Sequence, residues 1–413
     1  MGELAINGGN PLFSNLLGKW PDYTDDDKKR LEDVLVKRNW GGIPYPNYYT
    51  EKCIEQVKMT MNCKYAALVT NGSDALTISL KVLGILPGDE VITTGYTWVA
   101  TAGAIVQCNA VPVFCDIDEF SGCISPSEIE KNITGKTKAI IVVHLANQVC
   151  NMDEIMSISN RYCIPVIEDC AHAPYAEWRG KKVGTIGTIG TFSFEQSKIM
   201  TSGEGGMIIT NSQHYFELIC AFLNCGRRLG TEETYFGMAM GWNHRMTEFQ
   251  AAVLYGQLLN IYSKMQKLED NVEYLYYLLK KKSHYLTPFY NHDSRITRRQ
   301  YYCIILKYEG KIPLSKYCKA IRLEGAELED KWYLSLNDNP LFHVTAREWP
   351  FIRARYGEQI DSSSVDLKIC RKLVRENLVW IHYPSYNISF NQVEQLVACI
   401  EKVEKNINEL IDK

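Results

Sequence analysis

Lys198 lies in the run Thr191-Phe-Ser-Phe-Glu-Gln-Ser-Lys-Ile-Met-Thr-Ser-Gly-Glu-Gly-Gly206, downstream of the acidic pair Glu168-Asp169. A lysine just past a short β-type run, followed by glycines that let backbone approach a ligand, is placed to form a Schiff base with an aldehyde. Its apolar neighbours disfavour the charged amine and so free it as a nucleophile. Glu168 and Asp169 close the strand-like run Val166-Ile167, and the carboxyl end of such a strand delivers both carboxylates to the crevice where α/β sheets take ligands. Pyridoxal phosphate (PLP) requires this pairing: an amine for its aldehyde and a carboxylate that keeps its ring nitrogen protonated. A helix N-cap is the other role open to Asp169.

Further residues fit the same cofactor. In Leu68-Val-Thr-Asn-Gly-Ser-Asp-Ala-Leu76 an apolar strand turns into a helix. Gly72 allows close backbone approach, Ser73 offers a hydroxyl and an N–H, and the helix N-terminus favours an anion such as phosphate. The same residues would also make an ordinary cap. Trp98, at the end of Thr94-Gly-Tyr-Thr-Trp98, either stacks on a flat cofactor or fills the core. His172 either lies near the cofactor ring, donating to its phenolic oxygen, or is structural. Ser193, on the face opposite Phe192 and Phe194, reaches toward a phosphate. Each piece has a bland alternative; their order along the chain does not.

These residues need a scaffold. Strand candidates are Tyr65–Thr70, Val91–Thr94, Val111–Asp116, Ala139–His144, Pro165–Asp169, Thr191–Phe194 and Met207–Thr210, with periodic segments at 74–84, 126–133 and 152–162 between them. Continuous apolar strands with helical crossovers predict an α/β fold: a mainly parallel, seven-stranded sheet covered on both faces. A long helix is expected from about Thr247 to Lys282, then a strand at Tyr301–Tyr308, a helix at 314–323 and an amphipathic helix at 392–411. At 413 residues two domains are the natural division. They are placed at 1–250, the large domain, with residues 1–50 contributing to the active-site entrance, and at 251–413, a smaller α+β domain. The turn-rich, aromatic segment 324–365 has no clear assignment. The echo Gly184-Thr-Ile-Gly-Thr-Ile-Gly190 reads as turns before a strand, because its glycine spacing is not that of a dinucleotide site.

Composition narrows the function. A formal charge of −3, with 46% hydrophobic and 23% charged residues, gives no general attraction to nucleic acid or anionic membranes. The apolar stretches are only strand-length, so no membrane span is expected. None of the 14 cysteines forms C-x-x-C or a zinc-type cluster with histidine, so no metal is expected. Many sit in apolar runs as small hydrophobes, which points to a reducing cytoplasm.

These segments resemble the DegT/StrS family of PLP-dependent sugar aminotransferases, of fold type I. The likeness runs from Trp20-Pro21 to the C-terminal helix and rests on N-G-S-x-A-L, E-D-C-A-H-A, F-S-F-x-x-x-K with G-E-G-G, and G-x-N-x-R-M-T-E-F-Q-A-A. The resemblance implies that Lys198 carries the cofactor, Asp169 partners its ring nitrogen and Trp98 stacks on the ring. It further places His172 beside the ring, and Gly72, Ser73 and Ser193 at the phosphate. Asn243 matches an asparagine that reaches the phosphate of the second subunit, which implies a homodimer with a shared active site. His244 and Cys225 depart from the Tyr and His usual at their positions, both near the expected substrate entrance. The implied reaction moves an amino group from glutamine or glutamate to a keto-sugar or ketocyclitol, in amino-sugar, aminocyclitol or antibiotic biosynthesis. The motifs around Lys198 and Thr247 resemble the cyclitol and aminohydroxybenzoate branch most. The alternatives are an aminohydroxybenzoate-synthase-like dehydration and aromatisation, or amination of a nucleotide-linked ketosugar. Sugar dehydratases of this superfamily carry His in place of the lysine, so Lys198 argues against them.

Overall fold

The computed structural model describes residues 3–42, 45–227, 239–330, 332–360, 365–376 and 378–411. Its large sheet starts with β1 (Tyr65–Val69), β2 (Glu90–Thr94), β3 (Val111–Cys115), β4 (Thr137–Val143) and β5 (Val166–Asp169). After a short hairpin of β6 (Glu177–Trp178) and β7 (Lys181–Lys182) it resumes with β8 (Ile189–Ser193) and β9 (Gly206–Thr210). The order across the sheet is β1-β9-β8-β5-β4-β2-β3. Each of the seven expected runs forms a strand, with ends that move by a residue or two. Strands β2 to β5 and β8 pair in parallel. Their Val- and Ile-rich runs are buried on both faces, as a helix-covered sheet requires.

Strand β9 is antiparallel to both β1 and β8. The β8–β9 hairpin therefore carries its connecting loop, 194–205, across the edge where the parallel strands end. Lys198 lies on that loop.

The helices of the first half are α1 (Asp25–Lys37), α2 (Tyr48–Met61), α3 (Gly72–Val82), α4 (Val99–Gln107), α5 (Pro126–Asn132), α6 (Met152–Tyr162) and α7 (Gln213–Leu223). The long α8 (Glu248–Lys282) starts at a capping box between Thr247 and Gln250. It packs against α1 and α2 on one side and the terminal helix on the other.

Beyond α8 come β10 (Leu286–Pro288), β11 (Ile296–Arg298), β12 (Cys303–Tyr308) and β13 (Leu378–His382). Strands β10, β12 and β13 form a second, antiparallel sheet, while β11 pairs with β6. Helices α9 (Leu314–Leu323), α10 (Arg353–Tyr356), α11 (Lys368–Glu376) and α12 (Phe390–Lys405) complete this half. Among its described residues, the segment 324–365, unassigned from sequence, holds three short 3₁₀ turns and α10. The N-terminal residues pack here too: the Glu324 carboxylate accepts from the N–H of Ala5 (2.8 Å) and Leu12 (3.0 Å) and from Lys402 Nζ (2.7 Å). Among the described residues, no helix is long and apolar enough to cross a membrane.

Candidate active site

A cavity of about 420 Å³ opens at the carboxyl edge of the large sheet. Gly72, Ser73, Trp98, Asp169, His172, Ser193 and Lys198 all line it; Asn243 does not.

One end is the start of α3. Asn71 caps it, accepting from Asp74 N–H at 2.8 Å, and the remaining first-turn N–H groups have no acceptor within the helix. Strand β8 ends against this turn so closely that a Cβ on Gly72 would lie 2.7 Å from Ser193 Cβ. Only glycine brings the helix start and the Ser193 hydroxyl to one point, an arrangement suited to an anion. The cap, Asn71, and the close-packed Gly72 are thus different residues of the same turn.

At the other end lie the acid and the amine. Asp169 is buried; its carboxylate accepts from Thr101 Oγ1 at 3.0 Å and from Ala171 N–H at 3.1 Å. Burial raises its pKa, and those two donors and the charge of Lys198 oppose the rise. Burial likewise lowers the pKa of Lys198, opposed by the negative charge of Asp169. The amine loses its proton more readily than a surface lysine, and the carboxylate stays matched to a cation or a donor. Lys198 Nζ stands 4.5 Å from the ring centroid of Tyr302, which comes from the second sheet's side of the chain.

His172 has a defined tautomer. Its Nδ1 accepts from Ala146 N–H at 3.3 Å, so Nε2 carries the hydrogen and donates to the Tyr333 hydroxyl at 3.2 Å. Burial, reinforced by Lys198 and His382, holds its pKa well below the usual histidine value, and the ring is neutral. It packs on Tyr302 with centroids 4.5 Å apart. Trp98 is 56% exposed and lines the cavity, so it is not a core filler.

Glu168, paired with Asp169 in the sequence reading as a second carboxylate at the strand end, does not reach the cavity. Successive residues of a strand point to opposite faces, so β5 cannot deliver both side chains to one site. On the far face Glu168 accepts from the N–H groups of Gly184 (2.8 Å), Ile186 (2.8 Å) and Gly187 (2.5 Å), and from His144 Nε2 (3.0 Å). This explains the glycine echo: Gly184, at φ +89°, starts a turn that wraps a buried carboxylate. Glu168→Ala would strand those donors, and a stability loss on the order of 3–5 kcal/mol is expected in urea unfolding. A loss below about 1 kcal/mol would show that water replaces the carboxylate.

Asn243 bridges to Asn224 and borders a separate depression with Trp40, Gly41 and Gly42. His244 Nδ1 pairs with Asp74 Oδ2 at 3.0 Å, in a second hollow that shares Asn71, Ser73 and Glu204 with the main cavity. Cys225 Sγ lies 3.7 Å from Arg245 Nη1. Tyr302, Trp332 and Tyr333 line the cavity without having been singled out in the sequence. Their only signal there is an excess of aromatics in 300–333, which reads equally well as core.

A mainly parallel sheet between helices is the scaffold of a fold-type-I aminotransferase, and here a half-buried lysine and a buried aspartate line the cavity at its carboxyl edge. The chain belongs to the DegT/DnrJ/EryC1/StrS aminotransferase family, which its residues 23–377 match, and it is an aminotransferase. It is 40% identical over 413 residues to a Micromonospora echinospora protein provisionally named L-glutamine:3-amino-2,3-dideoxy-scyllo-inosose aminotransferase, covering 99% of this chain and 98% of that one. It is 32% identical over 427 residues to the L-glutamine:2-deoxy-scyllo-inosose aminotransferase of Streptoalloteichus tenebrarius, covering 99% of each. Among solved structures, it resembles a provisionally named sugar aminotransferase of Streptococcus pneumoniae in its PLP-form. That likeness has a TM-score of 0.79 and 20% identity, and covers 95% of this chain and 100% of the other. The family works with PLP.

Proposed function

We propose that this enzyme transfers the amino group of L-glutamine to the keto carbon of a ketocyclitol of the inosose type, with PLP held between Lys198 and Asp169. The observation that carries the reading is the meeting of that amine and that carboxylate in one cavity whose far end is a helix N-terminus. The cradle that a Cβ at Gly72 would fill and the buried carboxylate of Asp169 both fit the cofactor. The names borne by the two relatives above support the donor and the acceptor.

When bound, PLP supplies an aldehyde that exchanges amino groups and a protonated ring that takes up an electron pair. The start of α3, with Gly72, Ser73 and the Ser193 hydroxyl, holds the phosphate. Asp169 accepts the ring N–H and keeps that proton in place. Trp98 and His172 line the same cavity and would flank the ring, the neutral His172 adding no charge there. Lys198 Nζ would take the proton from the donor's α-carbon as base and, as acid, give it up to the carbon that bore the cofactor's aldehyde, a role its lowered pKa suits. A Cβ at position 72 would crowd the phosphate end, so Gly72→Ala is expected to weaken PLP binding by about 1–3 kcal/mol. Titration of apoenzyme with PLP measures this.

The reading includes a homodimer in which Asn243 serves the partner's phosphate. Its support is the exposed apolar surface beside the cavity: Trp98, Trp242 (72% exposed) and Met240 (94% exposed) need a cover. A division at residues 250 and 251 is part of the same proposal, as is a reducing cytoplasm, which the 14 free cysteines support. The test is a pair of half-reactions. Glutamine should bleach the PLP-loaded enzyme, and a ketoinositol should restore its colour. Bleaching by alanine but not glutamine, or recovery only with a nucleotide-linked ketosugar, would overturn the corresponding half.

A further inference from the structure

Four consecutive residues around Lys198 are each held from outside the large sheet. Trp20 Nε1 donates to the Gln196 carbonyl at 2.6 Å. The Ser197 and Tyr302 hydroxyls are 3.1 Å apart. The Tyr383 hydroxyl donates to the Lys198 carbonyl at 3.5 Å, and Lys264 Nζ to the Ile199 carbonyl at 3.4 Å. The anchors come from the N-terminal segment, from α8 and from the second sheet's half of the chain, and they also touch one another. Trp20 meets Tyr383 edge-on with centroids 4.9 Å apart, and Lys264 Nζ sits 4.2 Å from the Trp20 ring centroid.

Lys264 is unusual for a helix lysine. Its side chain is only 8% exposed, and burial lowers its pKa. It is kept there by Asp22 Oδ1 at 3.0 Å and Gln257 Oε1 at 2.9 Å, besides the Ile199 carbonyl and the Trp20 ring. A desolvated cation ringed by acceptors of three segments holds those segments in register.

We infer that Trp20, Lys264 and Tyr383 form a clamp on the backbone of the 196–199 loop, acting as positioning residues for the Lys198 amine and tying its aim to the seating of the N-terminal segment. The inference rests on the reading of Lys198 as the amine that holds the cofactor. None of the three needs to touch substrate. A reacting group displaced by about 1 Å loses about 10²-fold in rate, so a loop held at four successive residues matters to chemistry as well as to folding.

The experiment uses full-length Lys264→Met, Lys264→Arg and Trp20→Phe enzymes. Two quantities are read: kcat and KM with both substrates, and the pH midpoint at which Lys198 of the apoenzyme reacts with acetic anhydride, located by peptide mass. In Lys264→Met, kcat should fall about 10²-fold with KM unchanged. The Lys198 midpoint should move up by about one pH unit as water reaches the loosened loop. Lys264→Arg, which keeps a cation and a donor, should recover most of both. Unchanged kcat and midpoint in Lys264→Met would overturn the clamp, and so would a lower melting temperature with neither quantity moved. Should Lys264→Met fail to fold, Trp20→Phe, which keeps a ring and loses the N–H to Gln196, is read by the same two criteria. A wild-type enzyme whose Lys198 never links to PLP defeats the earlier reading instead; wild-type linkage with normal variants defeats only the clamp.

Discussion

Lys198→Ala is expected to fold and to bind PLP, yet to turn over about 10⁴-fold more slowly, the upper end of what a positioned acid–base group contributes. The loop that carries residue 198 is held through its backbone and its neighbours, by Trp20, Tyr302, Tyr383 and Lys264, so removing the side chain leaves those anchors in place. The phosphate end, at Gly72, Ser73 and Ser193, and the ring partner Asp169 are likewise untouched. What disappears is the amine, which serves both as the group that takes the aldehyde and as the carrier of the proton. The loaded variant should therefore show the absorbance of the free aldehyde, with a melting temperature near that of the wild type. Turnover near the wild-type rate would mean that another group moves the proton.

Asp169→Asn is the second large effect. The amide has nearly the shape of the acid; its oxygen still accepts from Ala171 N–H and its NH2 can donate to the Thr101 hydroxyl in place of the bond that Oδ2 accepted, so the fold should survive. It cannot keep a pyridine nitrogen protonated, and loss of a preorganised charge at the reacting centre costs about 10²–10³-fold in kcat. The sign of a second readout follows from the electrostatics. In the wild type the charge of Asp169 raises the pKa of Lys198 against the effect of burial. With that charge gone the pKa falls further, so Lys198 of the apoenzyme should react with acylating reagent at lower pH than in the wild type. A rise in that midpoint, or an unchanged kcat, would show that Asp169 and Lys198 are not coupled across the cavity.

The parallel strands were legible because each is a short, uninterrupted apolar run between turn residues, and a sheet buried on both faces leaves no other pattern. Lys198, Asp169, Gly72, Ser73, Trp98, His172 and Ser193 were legible because strand ends and helix starts concentrate them at one edge, and the structure brings all seven to one cavity. Helix α4 was not. Its sequence, VATAGAIVQ, is small and apolar on every side, so it has no stripe to detect. Helix α1 carried a usable signal in the Thr24–Asp27 capping box, but its acidic first turn masks the apolar period. The wall formed by Tyr302, Trp332 and Tyr333 was hidden for a different reason. These residues come from a separate part of the chain, and no local spacing links them to Lys198. Glu168 does carry a signal against sharing the site, since the alternation of a strand already separates it from Asp169.

Every step proposed above requires Lys198 to be the amine that holds the cofactor. Borohydride reduction of the PLP-loaded, full-length enzyme, followed by proteolysis and peptide mass mapping, tests it directly. One reduced pyridoxyl adduct is expected, on the peptide carrying Lys198. An adduct confined to another lysine, Lys264 included, or an enzyme that turns over with no adduct at all, would contradict it.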